Sequence, residues 1–203
     1  MSPTARTLRE ALRVLRAGGV ALIPTETSYA LAVDATNAAA VRRVFHLKGR
    51  AEQKTLPLIA SSRVMAERYA VLGSMESALA KKYWPGPLTL VVPAKKNVGL
   101  AKGVVAKDGT IAIRVSRHAV ARALSRRLKV PIVSTSANRA GEPPVFSPHD
   151  LSFSLDAVVD AGKLRQRKPS TIVRIVEGKI VILRQGKLGA KLLTGQELSS
   201  SFL

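Results

Sequence analysis

Cysteine is absent from the 203 residues. That excludes disulfides, thiolate catalysis and cysteine-ligated zinc, and it fits a reducing compartment. Acid is scarce: 13 Asp and Glu stand against 33 Lys and Arg, a formal net charge of +20. No cluster of carboxylates stands out that could form a dedicated metal cage. The histidines, His46, His118 and His149, are scattered without ligand spacing and read as surface or helix-terminal residues. Aromatics are only 4% of the chain, few for stacking nucleic-acid bases. Apolar runs such as Leu88–Val92 are far too short to span a bilayer, and the N-terminus lacks a signal-peptide pattern. The expected place is therefore the cytoplasm, with no membrane partner. A GxxxxGKS/T phosphate loop, a strand-linked GxGxxG and a GxSxG elbow are all missing. A nucleotide site here has to be built another way.

What is present suits one substantial α/β domain: 46% apolar residues, mostly Ala, Val and Leu. The positive charge favours polyanions such as nucleic acid or nucleotides, although a basic surface can also serve solubility. Thr7–Ala17 has helical periodicity, with Leu8, Ala11, Leu12 and Leu15 on one face, and Gly18-Gly19 ends it. Val20–Ile23 reads as a buried strand stopped by Pro24. Asn37 caps a helix running to about Leu47. Leu56–Ala60 reads as a strand, Ser62–Tyr69 and Ser74–Tyr83 as helices, and Trp84-Pro85-Gly86-Pro87 as a rigid turn before strand Leu88–Val92. Lys95–Asp108 reads as a mobile basic loop. Strand Thr110–Val115, helix His118–Leu128 and strand Pro131–Val133 follow, then a loop over Arg139–Pro148. A short strand is expected at Ala157–Val159, and strands Ser170–Val176 and Lys179–Arg184 flank a Glu177-Gly178 hairpin turn. The sum is a single α/β domain with a mixed sheet over residues 1–186 and a basic, serine-rich tail over residues 187–203.

Three polar clusters concentrate the chemistry: Pro24-Thr25-Glu26-Thr27, Lys48-Gly49-Arg50 and Ser134-Thr135-Ser136-Ala137-Asn138. They offer hydroxyls, two cations and an amide, groups suited to a nucleotide phosphate and a small zwitterion. If the third cluster stays extended, Ser134, Ser136 and Asn138 point together just past a strand, where open α/β sheets place ligands. The competing reading is a Ser/Asn turn that satisfies only its own backbone. Lys48 and Arg50 can converge on adjacent phosphates across Gly49. They can equally be solvated charges at a helix end, favoured by its dipole. Glu26 reads as an orienter, a general base or a plain surface acid. Arg114 lies on a strand of small and apolar residues, where an unpaired charge is costly, so it should meet a carboxylate of the protein or of a ligand.

In this order the chain resembles the YrdC-like threonylcarbamoyl-AMP synthase family in its short form, from about Thr7 to Arg184. The motifs that carry the resemblance are Pro24-Thr25-Glu26-Thr27-Ser28-Tyr29-Ala30-Leu31, Lys48-Gly49-Arg50, Trp84-Pro85-Gly86-Pro87-Leu88-Thr89, Ile113-Arg114-Val115, Ser134-Thr135-Ser136-Ala137-Asn138 and Pro169-Ser170-Thr171-Ile172. The resemblance implies a twisted mixed sheet flanked by helices around a large electropositive cavity. It implies a nucleotidyltransferase that makes threonylcarbamoyl-AMP and pyrophosphate from L-threonine, bicarbonate and ATP, the first step of tRNA threonylcarbamoyladenosine modification. By the family pattern Lys48, Arg50, Thr110, Ser136, Asn138 and Arg184 face ATP, with Lys48 and Arg50 in the catalytic role. Thr25, Arg114, Ser134 and Ser170 face threonine. Mg²⁺ arrives with ATP, no residue being assigned to a resident metal, and a threonylcarbamoyl transferase complex takes the product. The alternatives are a non-catalytic RNA-binding module, or a carbamoyladenylate-forming domain with another substrate. The first draws on Arg122, Arg126 and Lys129, which share one helical face, and on the basic run Lys163–Lys168; its partner is tRNA or another RNA.

Overall fold

Local chemistry starts the fold. The Thr4 side chain accepts the Thr7 N–H at 3.2 Å and caps helix α1 (Ala5–Arg16), whose Ala11, Leu12, Val14 and Leu15 are buried while its arginines stay exposed. Asn37 Oδ1 accepts the Ala40 N–H at 2.9 Å at the start of α2 (Ala38–Lys48). Gly49 ends that helix in the left-handed conformation, φ 57°, which a residue without a Cβ adopts cheaply. This computed structural model describes residues 4–49 and 55–194. The remaining helices are α3 (Arg63–Tyr69), α4 (Ser74–Tyr83), α5 (Ala119–Leu128) and α6 (Ala190–Thr194).

The strands are β1 (Ala21–Pro24), β2 (Tyr29–Asp34), β3 (Leu58–Ala60), β4 (Leu88–Pro93), β5 (Thr110–Val115), β6 (Ile132–Ser136), β7 (Ala157–Val158), β8 (Thr171–Val176) and β9 (Lys179–Arg184). They form one sheet in the order β7-β1-β2-β6-β3-β5-β4-β8-β9. The pairs β1/β7, β3/β5 and β4/β8 are parallel and the others antiparallel, so the sheet is mixed, as expected. Its two faces bury different residues. Leu22, Leu31, Leu58, Val133, Ile113, Leu90 and Val173 face a large core that also holds Val41, Val44, Phe45 and Leu79. Ile23, Ala30, Ala32, Ile59 and Ile132 face α1 and α5.

Some expectations need correction. Strand β2 was not anticipated; the sequence assigns no element between Pro24 and Asn37, yet Tyr29–Val33 are fully or nearly buried. A strand covered on both faces has no alternation to reveal it. Strand β6 extends through Ser136, so Ser134 and Ser136 lie on the strand rather than past it. Residues 95–108 are packed, not loose: Leu56 N–H donates to Gly103 O at 3.1 Å, and Ala101 and Val104 are buried. Gly103 has φ 90°, and a Cβ there would lie 2.5 Å from the Phe45 ring, so glycine is required. The first part of the tail is also tied down. Leu188 N–H donates to Thr171 Oγ1 at 2.9 Å, and Leu193 of α6 is buried.

Candidate functional site

Register decides which side chains share a face. Arg114 pairs with Ile59, and Ile59 with Ile132, so the three project together. Alternation then places Ser134 and Ser136 on the Ile132 side of β6, and Thr110 on the Arg114 side of β5. Val91 pairs with Ala112 and Thr89 with Ile172. Ile172 pairs with Arg184 across a register shift, an irregularity that brings Arg184 of the edge strand beside this face although Ile182 packs on the other. Five predicted residues from three strands, Ser134, Ser136, Thr110, Arg114 and Arg184, therefore lie on one face of the sheet. Helices α1 and α5 cover the β1, β2, β6 and β3 part of it. Val91, Ala112, Ile172 and Arg174, farther along, are only half-buried and mark the open part.

At the strand end, Lys48 leaves the last turn of α2 and is 4% exposed. Its Nζ donates to Ser136 O at 2.7 Å, Asn138 O at 2.8 Å and Asn138 Oδ1 at 3.2 Å. The ammonium therefore holds the backbone of the Ser136–Asn138 turn. Asn138 is fixed a second time because its Nδ2 donates to Glu142 O. Arg50 lies outside the described residues.

Arg114 finds the carboxylate that its apolar strand demanded, and it is Glu26. Arg114 Nη1 donates to Glu26 Oε1 and Ser116 Oγ donates to Glu26 Oε2. Their side chains are 7% and 10% exposed, whereas the pairs Arg13–Glu10, Arg43–Asp156, Arg63–Glu67 and Arg174–Asp108 lie at the surface. Glu26 is thus not a plain surface acid; its contact with Arg114 fits the orienter reading. Arg184 lies near enough for its affinity for a proton to be reduced, by burial first and by the Arg114 charge second. Its Nε and Nη2 donate to Ser170 O at 3.1 and 2.8 Å, and Nη2 also reaches Ser170 Oγ at 2.9 Å. Ser170 Oγ shares a further hydrogen bond with Thr89 Oγ1, at 2.9 Å.

The remaining predicted residues behave differently. Thr25 Oγ1 closes its own loop, donating to Ser28 O at 2.7 Å and accepting the Thr27 and Ser28 N–H groups. Thr110 Oγ1 donates to Asp108 Oδ1 at 2.6 Å. Ser134 Oγ is the exception, a buried hydroxyl with no hydrogen-bond partner among the described residues. Buried polar groups are normally satisfied, so an orphan of this kind calls for an ordered water or a ligand atom as its partner.

Beside Glu26 lies a cavity of about 280 Å³ lined by Thr25, Glu26, Arg117, His118, Leu164, Arg165 and Arg167. Sequence reading gave His118 no role beyond a surface or helix-terminal one. It is the N-terminal flank of α5, as expected, but its buried Nδ1 lacks a hydrogen-bond partner among the described residues. Burial disfavours its protonation, with the Glu26 charge opposing more weakly. Ser116 and Thr89 were missed as well, since single hydroxyls at strand ends carry no local signal. Among the described residues no three His, Asp or Glu side chains gather to hold a metal, and no helix is long and apolar enough to cross a membrane.

Fold and site together define an α/β domain with a partly open sheet face that carries Arg114, Arg184 and several hydroxyls. The Sua5/YciO/YrdC family model, described as telomere recombination, matches residues 13–186, and the chain belongs to that family. A doubly substituted P. abyssi Sua5 superposes with a TM-score of 0.87 at 31% identity, over 94% of this chain and 59% of that one. P. abyssi Sua5 complexed with L-threonine gives 0.82 at 33% identity, over 88% of this chain and 54% of that one. E. coli YciO gives 0.81 at 26% identity, over 95% of both chains. The chain thus spans between half and three fifths of the Sua5 chains it resembles and nearly all of YciO.

Proposed function

We propose that the chain is an L-threonylcarbamoyl-AMP synthase acting in the cytoplasm. The observation that carries this reading is the unpartnered Ser134 hydroxyl on the same sheet face as Arg114, Ser136, Thr110 and Arg184. Membership of the family supports it, as does similarity to a Sua5 that binds L-threonine. Threonine's carboxylate meets Arg114, with Ser134, Ser170 and Thr25 around it. The phosphates of Mg·ATP lie toward Lys48, Arg50, Ser136, Asn138, Thr110 and Arg184.

The threonine ammonium loses a proton to solvent, and the resulting amine condenses with bicarbonate to give a carbamate and water. A carbamate oxygen then attacks the α-phosphorus in line, the bond to the β-phosphate oxygen breaks, and pyrophosphate leaves with that electron pair. Such a transfer needs placement and positive charge more than a side-chain nucleophile. Arg50 and Lys48 neutralise the departing pyrophosphate. Lys48 also fixes Ser136 and Asn138, through the hydrogen bonds at 2.7 and 2.8 Å to their carbonyls. The mixed anhydride passes to a threonylcarbamoyl transferase complex that works on tRNA. The exposed basic run Lys163, Arg165, Arg167 and Lys168, of which Arg165 and Arg167 line the cavity, suits an RNA partner.

Pyrophosphate release from ATP, with threonine and bicarbonate omitted in turn, tests the proposal. Release that needs all three supports it. Release independent of threonine sinks it and favours a carbamoyladenylate-forming domain with another substrate. Steeply salt-dependent RNA binding with no release at all favours the non-catalytic module.

A further inference from the structure

A buried ion pair contributes little net stability, because desolvation of both charges offsets their attraction. The chain nevertheless holds Glu26 against Arg114 at 10% and 7% side-chain exposure, and Arg114 shares its sheet face with Thr110, Ser134 and Ser136. Glu26 is held in place: Ser116 Oγ donates to its second oxygen, and Thr25 Oγ1 bonds the loop that carries it. Among the described residues Glu26 is the only hydrogen-bond acceptor of Arg114. Arg184, close enough for Arg114 to disfavour its protonated form, adds a second positive charge. The unpartnered Ser134 Oγ lies on the same face.

A guanidinium and a carboxylate are the two counter-charges of an α-amino acid, one for its carboxylate and one for its ammonium. We infer that Glu26 recognises the substrate ammonium, and that the Glu26–Arg114 pair is the ligand-free form of a zwitterion site. In that form each side chain stands in for one end of the substrate. A zwitterion placed between them exchanges one ion pair for two and brings no net charge into a poorly solvated space. A ligand with a carboxylate but no amine satisfies Arg114 and leaves Glu26 desolvated beside a like charge, which is costly. Glu26 therefore rewards the free amine and rejects the analogue that lacks it, the two halves of specificity. The inference rests on the reading that L-threonine is the substrate with its carboxylate on Arg114.

Calorimetric titration of the full chain, with L-threonine and with 3-hydroxybutyrate of matching configuration (threonine without its amine), tests it. The wild-type protein is expected to prefer threonine by about 100-fold, the scale expected from truncating one partner of a buried charge pair. Glu26→Gln is expected to weaken threonine about 10- to 100-fold while analogue affinity holds or rises. Glu26→Asp, with the charge on a shorter stem, should restore part of the preference. It carries the test alone if Glu26→Gln fails to fold. A variant that keeps the wild-type threonine-to-analogue ratio overturns the inference. So does parallel loss of both ligands at unchanged melting temperature, which would leave Glu26 only a support for Arg114. A wild-type protein that binds no threonine overturns the substrate assignment, and this inference with it.

Discussion

Lys48→Met removes an ammonium while keeping most of the side chain's apolar stem. The native Nζ makes hydrogen bonds at 2.7, 2.8 and 3.2 Å to Ser136 O, Asn138 O and Asn138 Oδ1, and the residue is 4% exposed. A hydrogen bond to a charged group contributes about 1.5–3 kcal/mol, and bonds sharing one donor atom do not add fully. The variant should therefore lose roughly 3 kcal/mol, a large share of the about 5–15 kcal/mol that holds a domain together. For a chain of this length that lowers the melting temperature by roughly 6–12 °C. Pyrophosphate release should fall further than the folded fraction does, because the Ser136–Asn138 turn loses its anchor as well as a cation. Circular dichroism melts together with the pyrophosphate assay check both parts. A melting temperature within about 2 °C of wild type would refute the anchoring argument.

Ser134→Ala removes a hydroxyl that has no partner among the described residues, so the melt should hold steady or rise. Threonine affinity should fall by about 10-fold or more, and a destabilised protein with unchanged affinity would reverse the assignment. Tyr29→Phe deletes a buried phenol that donates to Gly162 O at 2.8 Å and accepts from Ala161 N at 2.9 Å. It should cost about 1–2 kcal/mol and speed proteolysis of the 161–167 segment, and an unaltered cleavage rate would argue against that tether. His118 is held below its ordinary value by burial, so the unfolded chain takes up the proton first as pH falls. Stability should then drop as pH falls from about 6.5 through the folded value. His118→Gln should flatten that part of the melting-temperature profile, and an identical slope in the variant would remove His118 as its source.

Helices and alternating strands were the legible part of the fold, because their apolar periods and caps are local. Asn37, Gly49 and the Glu177-Gly178 turn each announce a boundary with a side chain or a backbone need. Strand β2 was not legible, since Tyr29–Val33 are buried on both faces and show no period. The extension of β6 was not settled because the hydroxyls of Ser134–Ser136 suit an extended segment and a Ser/Asn turn alike, and only Ala30 and Ala32 on β2 supply the ladder that decides it. At the site, Arg114 was legible as a charge in need of a partner, but not which partner. Glu26 lies 88 residues away in sequence, and only tertiary structure brings the two together. Similarly, the orphaned state of Ser134 Oγ is a property of packing that no motif encodes.

A crystal structure with L-threonine and a non-hydrolysable ATP analogue examines the shared sheet face directly. The account predicts the threonine carboxylate on the Arg114 guanidinium, an atom of the same ligand on Ser134 Oγ, and phosphate beside Ser136 and Asn138. Threonine bound on another surface, with Arg114 still closed on Glu26 alone, would contradict it.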